Sequence, residues 1–247
     1  MAQKERKGKT RCCMLKHVLA FLFVTVGFLL LAACNQDGRI GQEERETKVL
    51  ELDKSELTRV ELKMDAGELH VDGGSPKLME ADFDYNVPGW KPQVDYHSTG
   101  VRSDIGISNA PGAVPHGKNN WNLRFNNSVS MDLVVKMGAG EAHLNLGSMN
   151  LRSVAFDLGA GEVNVDLRGN PKRSYDVRIN GGVGQATIHL PKSVGISATA
   201  VGGIGEVNVS GLEKRNDRWI NPGHENAPVT IRLDVKGGIG QIDVLAE

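Results

Sequence analysis

A short glycine-centred motif recurs six times along the chain and constrains its fold more than any other feature. The copies are Asp-Ala-Gly-Glu, Gly-Ala-Gly-Glu twice, Gly-Val-Gly-Gln, Gly-Ile-Gly-Glu and Gly-Ile-Gly-Gln. Their second glycines are Gly67, Gly140, Gly161, Gly184, Gly205 and Gly240. Three of the five steps are 21 to 23 residues, and the first and last steps are longer. A fixed spacing of this size is typical of repeat architectures.

The residues on both sides of each motif alternate between apolar and polar types. Before Gly161, Phe156 and Leu158 alternate with polar or small residues, and Val163 and Val165 alternate after it. A period of two predicts strands with one buried face. Glycine at the centre tolerates positive φ and close backbone approach. Each repeat is therefore predicted to be a strand, a glycine corner and a second strand.

Two arrangements of these units fit the pattern. In a β-sandwich of hairpins, Leu158 lies opposite Val163 across a tight turn at Ala160 and Gly161. In a β-solenoid, a right-handed β-helix-like stack, coils of about 21 residues lie parallel on one another. The near-constant spacing favours the solenoid, because identical corners can then stack. The sequence predicts an all-β fold and leaves both arrangements open.

The amino terminus has the pattern of an export signal. Residues 1–16 carry six Lys or Arg and one acid, and residues 18–33 are uncharged. That apolar run is short for a membrane span, which needs about 20 residues. Small residues precede Cys34, which resembles the lipobox of bacterial lipoproteins. This resemblance implies a signal peptide over 1–33 and a palmitate-type lipid anchor at Cys34; the polar segment 34–48 is predicted to be a flexible tether.

Charge and cysteine content exclude several classes of function. The formal net charge is −1, and removal of residues 1–33 leaves 23 basic and 29 acidic residues. No basic surface for nucleic acid is therefore expected. Cys34 would be the sole remaining cysteine, so one mature chain has no internal disulfide and no cysteine zinc site.

Residues 49–247 are predicted to form a single domain with insertions at about 73–129 and 213–228. The insertions contain all three tryptophans. The aromatic residues proposed to bind a ligand or partner are Trp90, Tyr96, Trp121 and Trp219. The alternative is that they close an open end of the stack. Alternation of Trp121, Leu123 and Phe125 favours this alternative, since inward residues alternate in this way.

Two polar rows follow the corners. One is formed by the Glu or Gln of each motif, and the other includes His70 and His143. Such rows are typical of a solvated strand face, or they could hold a ligand. No dense His/Asp cluster, Gly-x-Ser-x-Gly elbow or His-Glu-x-x-His is present. We therefore expect no metal, no cofactor and no catalytic residues; an enzyme acting on envelope glycan is the alternative.

The ordered motifs resemble the toast-rack family of bacterial envelope proteins, which is related to the domain of LiaF-type cell-wall stress regulators. The resemblance rests on the Gly-Ala-Gly-Glu and Gly-Gly-Ile-Gly motifs, on Gly89-Trp90-Lys91-Pro92-x-Val94-x-Tyr96 and on Trp121-Asn122-Leu123-Arg124-Phe125-Asn126. It covers roughly residues 49–244 and implies an all-β stack facing the outside of the cell.

The expected function is that of a membrane-anchored, extracytoplasmic binding or scaffold module without enzymatic activity. The alternative is an accessory regulator of a cell-envelope stress sensor. The expected partners are the membrane, through the lipid anchor, and an envelope or membrane-sensor protein. The oligomeric state is left open.

Overall fold

The computed structural model describes residues 40–112 and 114–247, and this part of the chain is almost entirely β-structure. The thirteen strands are β1 (Glu44–Leu50), β2 (Leu57–Gly73), β3 (Met79–Tyr85), β4 (Gln93–Ser98), β5 (Arg102–Ser108), β6 (Asn119–Phe125), β7 (Ser130–Asn145), β8 (Leu151–Asp166), β9 (Tyr175–Leu190), β10 (Gly195–Ser210), β11 (Glu213–Arg215), β12 (Arg218–Ile220) and β13 (Thr230–Ala246). Two 3₁₀ turns lie at Pro88–Trp90 and His224–Asn226. The predicted all-β class is confirmed.

Six long strands, each containing one glycine motif, pair in parallel with the motifs in register. Gly140 is paired with Gly67 on one side and Gly161 on the other, and the same glycine-to-glycine pairing continues to the last rung. Leu158 lies opposite Met137 and Gly181 rather than Val163. The solenoid-like arrangement is therefore confirmed, and the hairpin alternative is wrong.

The order of the rungs in space differs from their order in the sequence. The long strands are arranged β2-β7-β8-β9-β13-β10, so the last strand of the chain lies between β9 and β10. The residues between β10 and β13 contain the insertion predicted at 213–228. There β11 and β12 form an antiparallel pair, and β12 pairs with the outer side of β10. β13 pairs with the opposite side of β10 along its whole length.

Each long strand bends at its glycine into a first arm, before the corner, and a second arm, after it. The apolar residues of both arms belong to one hydrophobic core. Two rows at its centre are almost completely buried: Leu62, Val135, Phe156, Ile179 and Val235 on the first arm, and Val71, Leu144, Val165, Ile188 and Val244 on the second. Burial of these two rows holds the bent sheet together.

The insertion at 73–129 closes the first end of the stack. β5 pairs with the first arm of β2 and β6 with its second arm, so the two strands form one more rung in which a loop replaces the corner. β4 then pairs with β5, β3 with β6, and β1 with β3, all antiparallel. Aromatic side chains in this region complete the core.

The segment 34–48, predicted as a flexible tether, is partly a strand. β1 begins at Glu44 and pairs along its whole length with β3, from Glu44 opposite Tyr85 to Leu50 opposite Met79. The folded domain therefore begins five residues earlier than predicted. The prediction was wrong because β1 is a charged edge strand with little apolar alternation. The predicted signal peptide and Cys34 lie outside the described residues.

Candidate functional site

The six corner glycines have the backbone conformation that the corner interpretation requires. Their φ angles lie between 125° and 142°. A Cβ on Gly161 would collide with the carbonyl oxygen of Gly140, and one on Gly184 with that of Gly161. Each corner therefore lies directly against the backbone of its neighbour, which no residue larger than glycine permits.

The side chains next to these corners change between the first and second half of the stack. On the inner side the row runs Met64, Met137, Leu158, Gly181, Gly237 and Gly202. On the outer side, two residues later, it runs Ala66, Ala139, Ala160, Val183, Ile239 and Ile204. Between β8 and β9, the larger apolar side chains therefore change from the inner side of the corner to its outer side.

Inside the corner, this change leaves an apolar cavity of about 30 Å³ in the last three rungs. Its lining includes Leu158, Ile179, Val235, Ile242, the three inner glycines and the outer residues Val183, Ile239 and Ile204. Small-molecule pockets are usually about 300–1,000 Å³. The cavity is therefore a packing defect and too small to be a ligand pocket.

Outside the corner, the same change produces a ridge of exposed aliphatic side chains. Val183, Ile239 and Ile204 are adjacent on neighbouring strands and are 53%, 52% and 71% exposed. Val201, on the edge strand β10, is 60% exposed. We call these four residues the corner ridge. They are four of the nine large apolar residues exposed in the described chain, and contiguous exposed apolar surface commonly marks an interaction site.

An open groove of about 670 Å³ runs along the corner of the earlier rungs. Its polar wall includes Lys136, Asp157 and Asn180, and Gly138 and Gly159 are part of its floor. Asn180 donates a hydrogen bond to Asp157 at 2.7 Å, and Lys136 donates to Glu61 at 3.1 Å. These polar groups already have partners within the protein, so the groove is a weaker candidate than the ridge.

The four aromatic residues predicted as a binding group do not come together, and two of them are buried. Trp121 is completely buried, packs edge-on against Phe83 and donates its Nε1–H to Asn119 at 2.9 Å. Trp90 is 3% exposed and donates its Nε1–H to the carbonyl oxygen of Gly112. Neither ring can contact a ligand, so their binding role is wrong. The alternative, that such residues close the end of the stack, describes their positions.

Tyr96 and Trp219 are half-buried and lie in different parts of the domain. The Tyr96 hydroxyl donates a hydrogen bond of 2.7 Å to Asp53. Trp219 lies on β12, beside the last rung, with the Lys214 ammonium 5.5 Å from its ring centroid. Such a contact is a weak cation–π interaction. Tyr96 is engaged in a structural network, and Trp219 lies opposite Ala198 on β10, the strand that also carries Val201 and Ile204 of the ridge.

Asp53 is the centre of that network. Its carboxylate accepts hydrogen bonds from the Ser55 amide and from the hydroxyls of Ser55, Tyr96 and Ser98. Partial burial raises the pKa of Asp53, but these hydrogen bonds outweigh it and hold the pKa well below its usual range. The network joins the loop after β1 to β4.

Other carboxyl groups also have lowered pKa values because cations lie beside them. Lys136 lowers the pKa of Glu61, Arg45 that of Asp84, and Arg168 that of Asp166. A general acid for glycoside hydrolysis needs a raised pKa. These carboxyls therefore give no support to the glycan-hydrolase alternative.

The two polar rows lie on the outer face of the second arm. Glu68, Glu141 and Glu162 are neighbours there, and the rings of His70 and His143 stack with centroids 4.9 Å apart. Within residues 40–112 and 114–247, no group of three or more His, Cys, Asp or Glu is arranged to hold a metal. In the same ranges, no helix is long and apolar enough to span a membrane.

The corner ridge was missed in the sequence although a signal for it exists. The first three motifs have Met or Leu three residues before the second glycine and Ala one residue before it. The last three have Gly and then Val or Ile at these positions. All six motifs fit the same strand–corner–strand pattern, so the pattern by itself does not reveal this change of surface.

Among solved structures, the chain is similar to a protein of Clostridium sporogenes ATCC 15579 named "putative cell adhesion protein". The two are 29% identical with a TM-score of 0.80, over 83% of this chain and 100% of the other. Proteins named "putative adhesin" from Parabacteroides distasonis ATCC 8503 and Bacteroides fragilis NCTC 9343 are 13% and 9% identical, with TM-scores of 0.27 and 0.29. These matches cover 83% of this chain and 98% and 97% of theirs.

No curated protein matches the chain. A family model matches residues 39–189, from just before β1 to the end of β9. The match leaves β10 and β13, which carry most of the corner ridge, outside the matched region. Because more than half of its length is matched, the chain belongs to the family described as the N-terminal domain of toast_rack, DUF2154.

Proposed function

We propose that this protein is a non-enzymatic binding module outside the cytoplasm, held to the membrane by lipid on Cys34, and that it contacts an envelope protein through the corner ridge. The observation that carries the proposal is the ridge itself. Val183, Ile239 and Ile204 form a continuous aliphatic strip on adjacent strands, and covering such side chains contributes about 25 cal/mol per Å² of buried apolar surface.

The similarity to a named cell adhesion protein supports a binding role. That protein is 29% identical to this chain over its whole length. The corner cavity is too small for a small-molecule substrate, which agrees with binding through the surface of the domain.

The amino-terminal sequence supports anchoring. A basic segment, an apolar run and small residues precede Cys34, and nine residues separate Cys34 from the start of β1. Fully extended, nine residues span roughly 30 Å. The domain would therefore be held within a short distance of the bilayer, where its partner is an envelope or membrane protein.

Photocrosslinking in cells tests the contact surface. A photoreactive amino acid is placed at position 239 in the ridge of the full-length protein, and in a control at position 101. Val101 is 66% exposed, in the turn between β4 and β5, at the other end of the stack. We expect one protein partner to be captured from position 239 and not from position 101. Equal capture from both positions, or none, would contradict the proposal.

Cell fractionation of the Cys34→Ser variant tests the anchor separately. We expect the wild-type chain in the membrane fraction and the variant released from it. The identity of the captured partner then distinguishes a scaffold from an accessory regulator: a membrane stress sensor favours the regulator, and a structural envelope protein favours the scaffold.

A further inference from the structure

The second arm of β10 is an open sheet edge. β13 pairs with one side of β10 over its whole length. On the other side, β12 pairs only with Ser197 and Ala198 in the first arm. In the described ranges, no strand pairs with the outer side of residues 204–210. The backbone groups that point outward along this stretch are therefore available to a further strand.

At this edge, the last apolar side chains of the second arm, on β10, have no neighbouring strand of the described chain on their outer side. The inner residues of β13, Ile242 and Val244, are 4% and 0% exposed. Their partners on β10 are Val207 and Val209. Val207 is 37% exposed and Val209 is half-buried. A strand added beside β10 would cover both valines and complete the core as β13 does for β9.

Two edge strands of the sheet, β1 and β11, carry several charges that protect them from pairing, whereas this edge and that of β4, which has Asp95, carry one charge each. β1 contains Glu44, Arg45, Glu46 and Lys48 among its seven residues, and β11 consists of three charged residues. Residues 204–210 contain one charge, Glu206, and neither lysine nor proline. Natural proteins use charges, especially lysine, and proline to prevent edge-to-edge association, so the β10 edge lacks the usual protection.

We propose that a second copy of this chain pairs with this edge, the two β10 strands running antiparallel about a two-fold axis at Asn208. This register places Val207 opposite Val209 of the partner subunit, and Glu206 opposite the partner's Ser210. Apolar side chains meet on the inner face, and no like charges face each other on the outer face. Cross-strand pairs of this kind stabilise antiparallel sheets.

A two-fold arrangement also agrees better with the charges than end-to-end stacking does. Pairing of β10 with β1 of another copy would join an almost uncharged edge to one with four charges, and it would leave new edges at both ends. The antiparallel pair closes after two copies and uses the unprotected edge of each. The inference does not depend on the corner ridge, because the residues of this register, 206–210, follow the corner and include none of the four ridge residues.

Disulfide crosslinking in the full-length protein tests the register. The variant Asn208→Cys places one thiol at the two-fold axis, where antiparallel partners have Cα atoms about 4.5–5.5 Å apart. A disulfide needs about 4.4–6.8 Å. The matched control is Asn164→Cys, which occupies the same outer row but on the central strand β8 and is exposed. The unsubstituted chain controls for Cys12, Cys13 and Cys34.

We expect mild oxidation of membranes to give a disulfide-linked dimer of Asn208→Cys at least tenfold more abundant than that of Asn164→Cys or the parent chain. Equal amounts in the two variants, or no dimer from position 208, would overturn the proposal. A second variant adds Val207→Lys to Asn208→Cys. Val207 is already 37% exposed, so the monomer is expected to fold, but the charge would enter the paired strands and suppress the dimer.

The ridge variant Val183→Glu separates this inference from the proposed function. It should abolish partner capture from position 239 and leave the Asn208→Cys dimer unchanged. Self-pairing through β10 is supported if the Asn208→Cys dimer is lost when Val207→Lys is added and is kept when Val183→Glu is added. A dimer that persists in Val207→Lys would overturn it, whatever the result at the ridge.

Discussion

Leu158 on β8 is paired directly with Gly181 on β9, at the inner side of the corner. The inner row loses a whole side chain in this single step between neighbouring strands, and the outer row changes from Ala160 to the larger Val183. The cavity inside the corner and the ridge outside it are thus two results of the same change. The ridge residues Val183, Ile239 and Ile204 also line the cavity, so the two features share these side chains.

Gly181→Ala should stabilise the domain. A Cβ at this position meets only the carbonyl oxygen of Lys236, at 4.0 Å, and the residue has no strained φ. A compatible Gly→Ala change adds about 0.4–1 kcal/mol by restricting the unfolded chain. For a domain of this size we expect the melting temperature of the full-length protein to rise by roughly 1–4 °C. A fall in melting temperature would show that the cavity cannot accept a methyl group.

Gly161→Ala should destabilise the domain by more than about 1–2 kcal/mol, because it combines a positive φ of 130° with a collision against Gly140. Gly74→Ala is the matched control. Gly74 also has a positive φ, 96°, but a Cβ there meets nothing within 4 Å. Urea unfolding of both variants separates backbone strain from close stacking, and equal losses would mean that stacking of the corners contributes nothing.

Trp121→Ala should cost about 3–5 kcal/mol of unfolding free energy, the usual loss for a large buried aromatic. The same change at Trp219, which is only half-buried on β12, should cost much less. Chemical denaturation followed by circular dichroism measures both. If Trp121→Ala retained wild-type stability, its role in closing the core would be disproved.

Asp53→Asn should lower stability at pH 7 and have less effect in acid. The folded pKa of Asp53 lies below its usual range, so ionisation of this carboxyl stabilises the fold above its unfolded pKa of about 3.9. That contribution is lost as the pH falls toward the folded pKa. We therefore expect the difference in melting temperature between the wild type and the variant to shrink from pH 7 to pH 3.

A difference that stays constant over this range would place the stabilisation elsewhere. Tyr96→Phe removes one of the hydrogen bonds to Asp53 without adding volume. It should give a smaller loss of stability at pH 7 that shrinks in the same direction.

The strand–corner–strand unit was predictable because its cause is local. Phe156, Leu158, Val163 and Val165 alternate with other residues around Gly161, and these four apolar residues are the buried ones. The same logic correctly favoured an inward position for Trp121 over a ligand-binding one.

The order of the rungs was not predictable from these motifs. Every motif places a glycine at the corner, so the register of these glycines alone lets β13 pair with β9 and β10 as well as with any other rung. The order of β13 and β10 depends on contacts between residues that are far apart in the sequence. The strand β1 was not predictable for a different reason. Its pairing with β3 depends on backbone hydrogen bonds and on contacts between the two strands, such as Arg45 with Asp84.

The position of β13 has a consequence for how the molecule is made. A stack in sequence order could grow rung by rung as the chain emerges, each new strand adding to a finished edge. Here β10 is synthesised before β13, the strand that joins it to the rest of the sheet. About twenty residues separate the end of β10 from the start of β13. Assembly is therefore completed only when the carboxyl-terminal residues are available. A chain cut short before Thr230 would contain five of the six rungs, and β10 would lack the long strand that pairs with it.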